Sequence, residues 1–419
     1  MSRFRNLTAL AAALLVAAPA LHAVELQSVA GTDTKLNVYG YVWAYANYYV
    51  NGNDNNYNGY AGSLFYHLSG GVFDGDFHAV PQGQYDFNNL PTRFGFASTT
   101  PSANLGDVKT KIEYDVNGSN DHLRHAYLSF GGWTIGKTWS LWNDLDASPD
   151  VVDWDGPIGL ACFDTPRYNL IEYIGQIDKN NSVGISIEKQ GGGQTDGSFV
   201  SGSSVGEQKY PSIVAMYTYS DSWGHIGLRV LGQNEEAYIP ATPASGTTPS
   251  ADGTHYNKWF AAFMLSGDVK FGKDDLVWSV YDGKALGNYG TGFQAALFDD
   301  STQTITGLEN LGWQVGFTHN WTDAVRSNIS IGGVTFKSDD STDLTKAGTD
   351  GSTGTLLKTG YYGELNTFVM LTKSLQFGGA VVYEQAKAFG SDNVWIDYDG
   401  SATNKISNTK IELSMKATF

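Results

Sequence analysis

Six cations are strung between residues 93 and 167: Arg93, Lys109, Lys111, Arg124, Lys137 and Arg167. Five aspartates, Asp144, Asp146, Asp150, Asp153 and Asp155, fall in one short stretch between the last two of them. Charges of both signs at this density can bind, orient or filter ions, and in a narrow water-filled passage they decide which ions pass. Nothing around them suggests bond-making catalysis. Ser, His and Asp are all present, but nothing resembles a nucleophile elbow. The eight histidines form no His-Glu-x-x-His motif. Asp54-Asn55-Asn56-Tyr57-Asn58-Gly59 matches the first half of a calcium loop, but Phe65 stands where the bidentate Glu belongs, so a solvated polar loop is expected there. Gly191-Gly192-Gly193 lacks the strand and helix of a phosphate loop. The single cysteine, Cys162, excludes a disulfide framework and reads as a bystander. No catalytic residue, cofactor or metal is expected.

The elements that position these charges show a period of two. In 107–117, Val108, Thr110, Ile112, Tyr114 and Val116 share one face, and Asp107, Lys109, Lys111, Glu113 and Asp115 share the other. In 225–233, Ile226, Leu228 and Val230 oppose His225, Arg229 and Gln233. In 410–419, Ile411, Leu413, Met415, Ala417 and Phe419 oppose Lys410, Glu412, Ser414 and Lys416. Arg93 is out of phase with Phe94 and Phe96, which places it on a polar face. Arg124 and Lys137 have apolar neighbours in both phases, and their direction stays open.

Sixteen strands are predicted, near 35–50, 92–100, 107–117, 123–131, 133–140, 167–177, 182–189, 210–219, 225–234, 256–271, 276–282, 309–321, 325–337, 357–372, 375–388 and 405–419. Their connections alternate between long and short all along the chain. That is the rule of an even-stranded membrane barrel, with short turns at one rim and long loops at the other. A soluble sandwich also alternates apolar and polar residues, but has no reason to alternate its connections. The expected fold is all-β, a sixteen-stranded antiparallel transmembrane β-barrel. A barrel of that size leaves an aqueous channel.

Composition agrees. Charged residues make up 16% and aromatic residues 13%, with 24 Tyr, 11 Trp and 50 Gly. Rings with a polar tip suit membrane interfaces. Residues 1–23 read as a signal peptide, with Arg3 and Arg5 ahead of a short apolar run from Ala9 to Ala18. Cleavage falls after Ala20 or Ala23, with 23 preferred, and leaves 24–419 as one barrel domain. Losing the two arginines takes the net charge from −17 to −19, a poor match for nucleic acid. Phe419, the last residue, resembles the terminal signature by which outer-membrane proteins are recognised for assembly.

The stretch Arg124-His125-Ala126-Tyr127-Leu128-Ser129-Phe130-Gly131-Gly132-Trp133, then Gly136-Lys137-Thr138-Trp139-Ser140, then the acidic segment ending in Gly156-Pro157-Ile158-Gly159, resembles the DcaP-like porin family. Lys35-Leu36-Asn37-Val38-Tyr39-Gly40-Tyr41 and Lys109-Thr110-Lys111-Ile112-Glu113 extend the match, which covers about the first third of the mature chain. The N-terminal helical extension of some members is missing or minimal. The resemblance implies a homotrimer in the outer membrane of a Gram-negative-type bacterium, in contact with lipid and lipopolysaccharide. It also implies that the third external loop, 141–166, folds inward and narrows the lumen. The five aspartates of that loop would then face Arg93, Lys109, Lys111, Arg124, Lys137 and Arg167 across the passage and create a transverse field. The implied function is passive diffusion of small hydrophilic solutes, with small organic anions such as dicarboxylates as the leading class. An adhesion or binding barrel, or a lipid hydrolase, is the alternative.

Overall fold

Inside hydrocarbon no water pairs with backbone N–H and C=O groups, so a sheet survives there only when it closes on itself. The chain meets this constraint. The computed structural model describes residues 24–26, 33–50, 84–116, 122–152, 166–189, 205–207, 209–239, 253–290, 296–299, 302–337, 357–388, 395–396 and 402–419.

Sixteen strands form the wall: β1 Lys35–Tyr49, β2 Arg93–Thr100, β3 Val108–Asp115, β4 His122–Phe130, β5 Trp133–Trp139, β6 Arg167–Gln176, β7 Asn181–Lys189, β8 Ser212–Asp221, β9 Gly224–Ile239, β10 Thr254–Phe271, β11 Asp274–Lys284, β12 Glu309–Asn320, β13 Val325–Lys337, β14 Leu357–Met370, β15 Leu375–Ala388 and β16 Lys405–Thr418. Each pairs antiparallel with its neighbours in sequence. The last strand closes on the first, from Tyr41 opposite Thr418 to Tyr49 opposite Lys410. Reciprocal backbone bonds between Gly40 and Phe419, at 3.1 and 3.0 Å, seal the seam. Past that point Val24–Leu26 pairs with Leu36–Val38 and continues the ladder where β16 has ended.

Sequence alternation and wall geometry coincide. On β14, Leu365 is 62% exposed on the outside, while its neighbours Glu364 and Asn366 are each 2% exposed on the inside. Trp223 and Trp321 sit in the short turns and stay exposed, as an interfacial belt requires. Among the described residues no helix is long and apolar enough to cross a membrane, so the strands do the crossing.

The strands lie within a few residues of their sequence-predicted positions. The largest differences are in β9, which runs to Ile239 rather than ending near 234, and in Gln84–Asn88, which lies in a predicted loop but pairs with Tyr45–Tyr49. The β9 extension, with Glu235 and Glu236 in succession, breaks apolar alternation and is held by its ladder to β10, whereas Gln84–Asn88 alternates, with Tyr85 and Phe87 exposed, but spans only five residues. The expected signal peptide, 1–23, together with Asp54–Gly59, Gly191–Gly193 and Cys162, lies outside the described residues.

A charge forced onto the lipid face at mid-strand tests this orientation. Leu365→Arg is expected to lower the free energy of refolding into vesicles by roughly 2–4 kcal/mol. A urea titration that finds no loss would place Leu365 outside the hydrocarbon.

Candidate functional site

The charges of β3 reach the interior by the pleat alone. Lys109, Lys111, Glu113 and Asp115 alternate with the outward Thr110, Ile112 and Tyr114. Arg93 on β2 lies opposite Asp115 and shares the inward phase. Arg124 needs a different device. The ladder pairs Glu113 with His125 but Tyr114 with Leu123, so Arg124 is the extra residue of a β-bulge. A bulge turns two consecutive side chains to one side. Arg124 and His125 are therefore both buried within the barrel.

Glu113 organises this wall. Lys111 Nζ approaches it at 3.1 Å, Arg124 Nε at 3.3 Å and Arg93 Nη1 at 3.6 Å. Tyr39 donates its hydroxyl to Glu113 at 3.0 Å. Asp115 takes a second contact from Arg124, at 2.5 Å, and one from His122 at 2.8 Å. Three cations this close repel one another, and two carboxylates among them offset that repulsion. Aromatic rings hold the cations from the side: Arg93 over Tyr41 at 5.0 Å, Lys111 over Tyr39 at 5.4 Å and Arg124 over Trp139 at 5.7 Å.

The row continues past the seam. Lys416 on β16 lies over Tyr41 at 4.0 Å and Trp43 at 4.7 Å. Arg326 on β13 lies over Phe368 at 4.3 Å. Lys416 is within electrostatic reach of Arg93, Arg326 and Asp150. Arg93, Lys111, Arg124, Lys416 and Arg326 thus contribute five cations against the three carboxylates Glu113, Asp115 and Asp150.

The interior wall from β6 to β14, which includes Arg326, carries the described part of the third long connection. Residues 141–152 lie against inward-phase side chains from β6 to β14. Leu141 donates its backbone N–H to Glu188 at 3.0 Å. Leu141, Trp142 and Val152 join a buried cluster with Met216, Leu231, Met264 and Tyr281. Asp144 accepts from Arg229 at 2.9 Å and Ser266 at 2.5 Å, and meets His225 at 2.9 Å. His225 in turn bonds Asp268. Burial opposes charge on Asp144, but the Arg229 guanidinium and the bonds from His225 and Ser266 outweigh it and hold the carboxyl well below the usual carboxylate range. Farther along, Asp150 meets Arg326 at 2.5 Å, and Val152 donates its N–H to Glu364 at 2.7 Å. Pro149 presses on Gly316 so closely that a Cβ there would sit 2.8 Å from its ring. Only glycine admits the segment at that point.

The predicted site residues therefore divide. Arg93, Lys109, Lys111 and Arg124 share the inward phase. Lys137 is corrected: the ladder pairs it with Ala126 and Asn169, on the phase of the lipid-facing Ile135. Arg167, at the end of β6, is the ladder partner of Trp139 and lies over its ring at 4.5 Å, the ring that also carries Arg124. Asp144 is no free acid of a field, since it is 1% exposed and bonded into the wall. Asp146 is half-buried in a single helical turn, Leu145–Ala147. Asp153 and Asp155 lie outside the described residues. Arg229, Arg326 and Lys416 were not singled out from sequence. For Arg229 and Lys416 the signal existed, because each stands on the polar face of a clean alternating strand. Among the described residues no group of His, Cys, Asp and Glu is placed to hold a metal ion.

Comparison with known proteins agrees with this architecture. A family model described as DcaP outer membrane protein matches residues 22–349. No curated protein matches the sequence. Among solved structures, the outer membrane channel DcaP of Acinetobacter baumannii superposes with a TM-score of 0.72 at 20% identity, over 94% of this chain and 99% of that one. An anion-selective porin from Comamonas acidovorans gives 0.56 at 11% identity, over 92% and 100%. The in-vitro folded OmpT of Vibrio cholerae, in a trimer form, gives 0.54 at 8%, over 92% and 99%. At these identities the superpositions establish the fold, and the family model carries the kinship.

The Asp144 anchor makes a measurable prediction. Asp144→Asn leaves Arg229 buried without its carboxylate, and a broken buried pair costs roughly 3–5 kcal/mol. Because folding depresses the Asp144 pKa, its contribution is complete above the ordinary carboxylate value of about 4 and is lost only as pH falls through the lower folded value. Urea unfolding of the variant at pH 7 is expected to show the loss. An unchanged midpoint would remove Asp144 as the anchor.

Proposed function

This chain belongs to the DcaP outer membrane protein family and is an outer-membrane porin, and on that premise we propose that it is a trimeric passive-diffusion channel for small hydrophilic organic anions, dicarboxylates in particular. Residues 1–23 are its export signal. Connection 141–166 is its inward-folded third loop, and it narrows the lumen to the side lined by β13–β16 and β1–β4.

The observation that carries the anion reading is the inward row of Arg93, Lys111, Arg124, Lys416 and Arg326, in which cations outnumber the carboxylates they touch. In a narrow passage fixed charges of one sign concentrate counter-ions and exclude co-ions. The chain's overall negative charge does not oppose this, because loop acids more than about 10 Å from the passage are screened at ordinary salt. The trimer form of OmpT and the anion-selective porin of Comamonas acidovorans, both with this fold, are in keeping with the reading.

Single-channel recording in planar bilayers tests it. The expected result is closure in three steps and a zero-current potential that favours anions. Arg93→Gln and Lys416→Gln should each lower the anion-to-cation permeability ratio roughly fivefold in dilute salt, as removal of about 1 kcal/mol of charge interaction implies. The effect should fade at 1 M salt, where screening acts within about 3 Å. Cation preference would overturn the anion reading, and folded protein without conductance would overturn the channel.

A further inference from the structure

Resting on that channel reading, we propose that Arg326, with Gln376, Phe368 and the neighbouring Lys416, forms a subsite for one carboxylate of a permeating organic dianion, and that the protein's own Asp150 occupies it until the solute arrives.

The two aspartates that dock the third connection differ in a telling way. Asp144 is enclosed, with its side chain and that of its partner Arg229 each 1% exposed. Asp150 and Arg326 remain 33% and 20% exposed to the water of the interior. The first pair is structural. The second can be reached by a solute.

Arg326 is also held as a receptor would be. Its guanidinium carbon sits 4.3 Å from the centroid of the Phe368 ring. Gln376, turned so that its amide oxygen faces Arg326, accepts from both terminal nitrogens at 3.2 Å each. Asp150 binds through Nε only. The fork of the guanidinium is thus fixed in direction before any anion arrives, which lowers the entropy lost on binding.

The neighbours supply a second cation. Gln376 is the ladder partner of Lys416, and Lys416 faces Trp43 across the seam. Tyr41, which Lys416 covers, is the ladder partner of Arg93. A solute with one carboxylate on Arg326 finds Lys416 within reach of its other carboxylate, and Arg93 next along the same row. Asp150 brings a single tethered carboxylate, which bonds Arg326 and lies within electrostatic reach of Lys416, where a dianion brings two. A dianion outcompetes it by engaging both, and hands the cation back to Asp150 when it leaves. That exchange keeps Arg326 from being left unpaired at any step, where an isolated charge would hold its ligand too long for transport.

Asp150→Asn separates the competitor from the anchor. The backbone carbonyl of Asp150 still accepts from Asn366 at 2.9 Å, and the Val152 bond to Glu364 remains, so the segment stays docked. Calorimetric titration of succinate into the folded, detergent-solubilised protein is the test. Asp150→Asn should bind succinate roughly fivefold more tightly than the unmodified chain, and Arg326→Gln at least fivefold more weakly. In the double variant the gain from Asp150→Asn should vanish. Unchanged succinate affinity in Asp150→Asn, or a gain that persists without Arg326, overturns the subsite. Conductance in potassium chloride, recorded on the same preparations, tells the two failures apart. Open channels with no Asp150 effect overturn the subsite alone, whereas absence of conductance in all of them overturns the channel reading and the subsite with it.

Discussion

Every backbone N–H and C=O that lies in hydrocarbon must find its partner within the protein, and the rest of this structure follows from that. It forces closure of the sheet, made here by β1 and β16 and sealed where Phe419 and Gly40 exchange backbone bonds. Closure gives the wall an inside and an outside. The pleat then assigns every second residue to lipid and every other to the interior. A chain that alternates apolar and polar residues, as β3 and β16 do, can satisfy both solvents at once.

The interior this creates is not uniformly wet. Toward β6–β14, the segment from Leu141 to Val152 fills space with apolar side chains and is tied down by charge at Asp144 and Asp150. Toward β13–β16 and β1–β4 the lining is ionic and aromatic. Desolvation makes an isolated charge expensive in such a place, and each cation here has a carboxylate or a ring against it. Glu113 is the centre of that balance on one side of the seam, with Lys111, Arg124 and Arg93 around it.

The two regions depend on each other. The connection can lie close to the wall because glycine replaces a side chain at Gly316, and Gly227 leaves room beside Asp144. Where it lies close, its aspartates reach cations of the wall, Asp144 at Arg229 and Asp150 at Arg326, so the packing of the connection decides which interior cations it pairs with.

Sequence alone determined the wall. Period-two alternation and alternating connection lengths located all sixteen strands, because both are local consequences of the pleat and the bilayer. The same pattern put Arg93, Lys109 and Lys111 on the inward face. It could not orient Arg124, whose direction comes from a bulge created by pairing with β3, nor exclude Lys137, whose apolar neighbours lie on both sides. It set Lys416 on a polar face but could not join it or Arg326 to this row, which forms only because β13 and β16 come round to meet β1 and β2. That meeting is set by closure over the whole chain, and no local window of sequence contains it. Tertiary structure likewise decided which aspartates anchor and which face water, since Asp144 and Asp150 look alike in sequence and differ only in what β9, β10 and β13 bring to them.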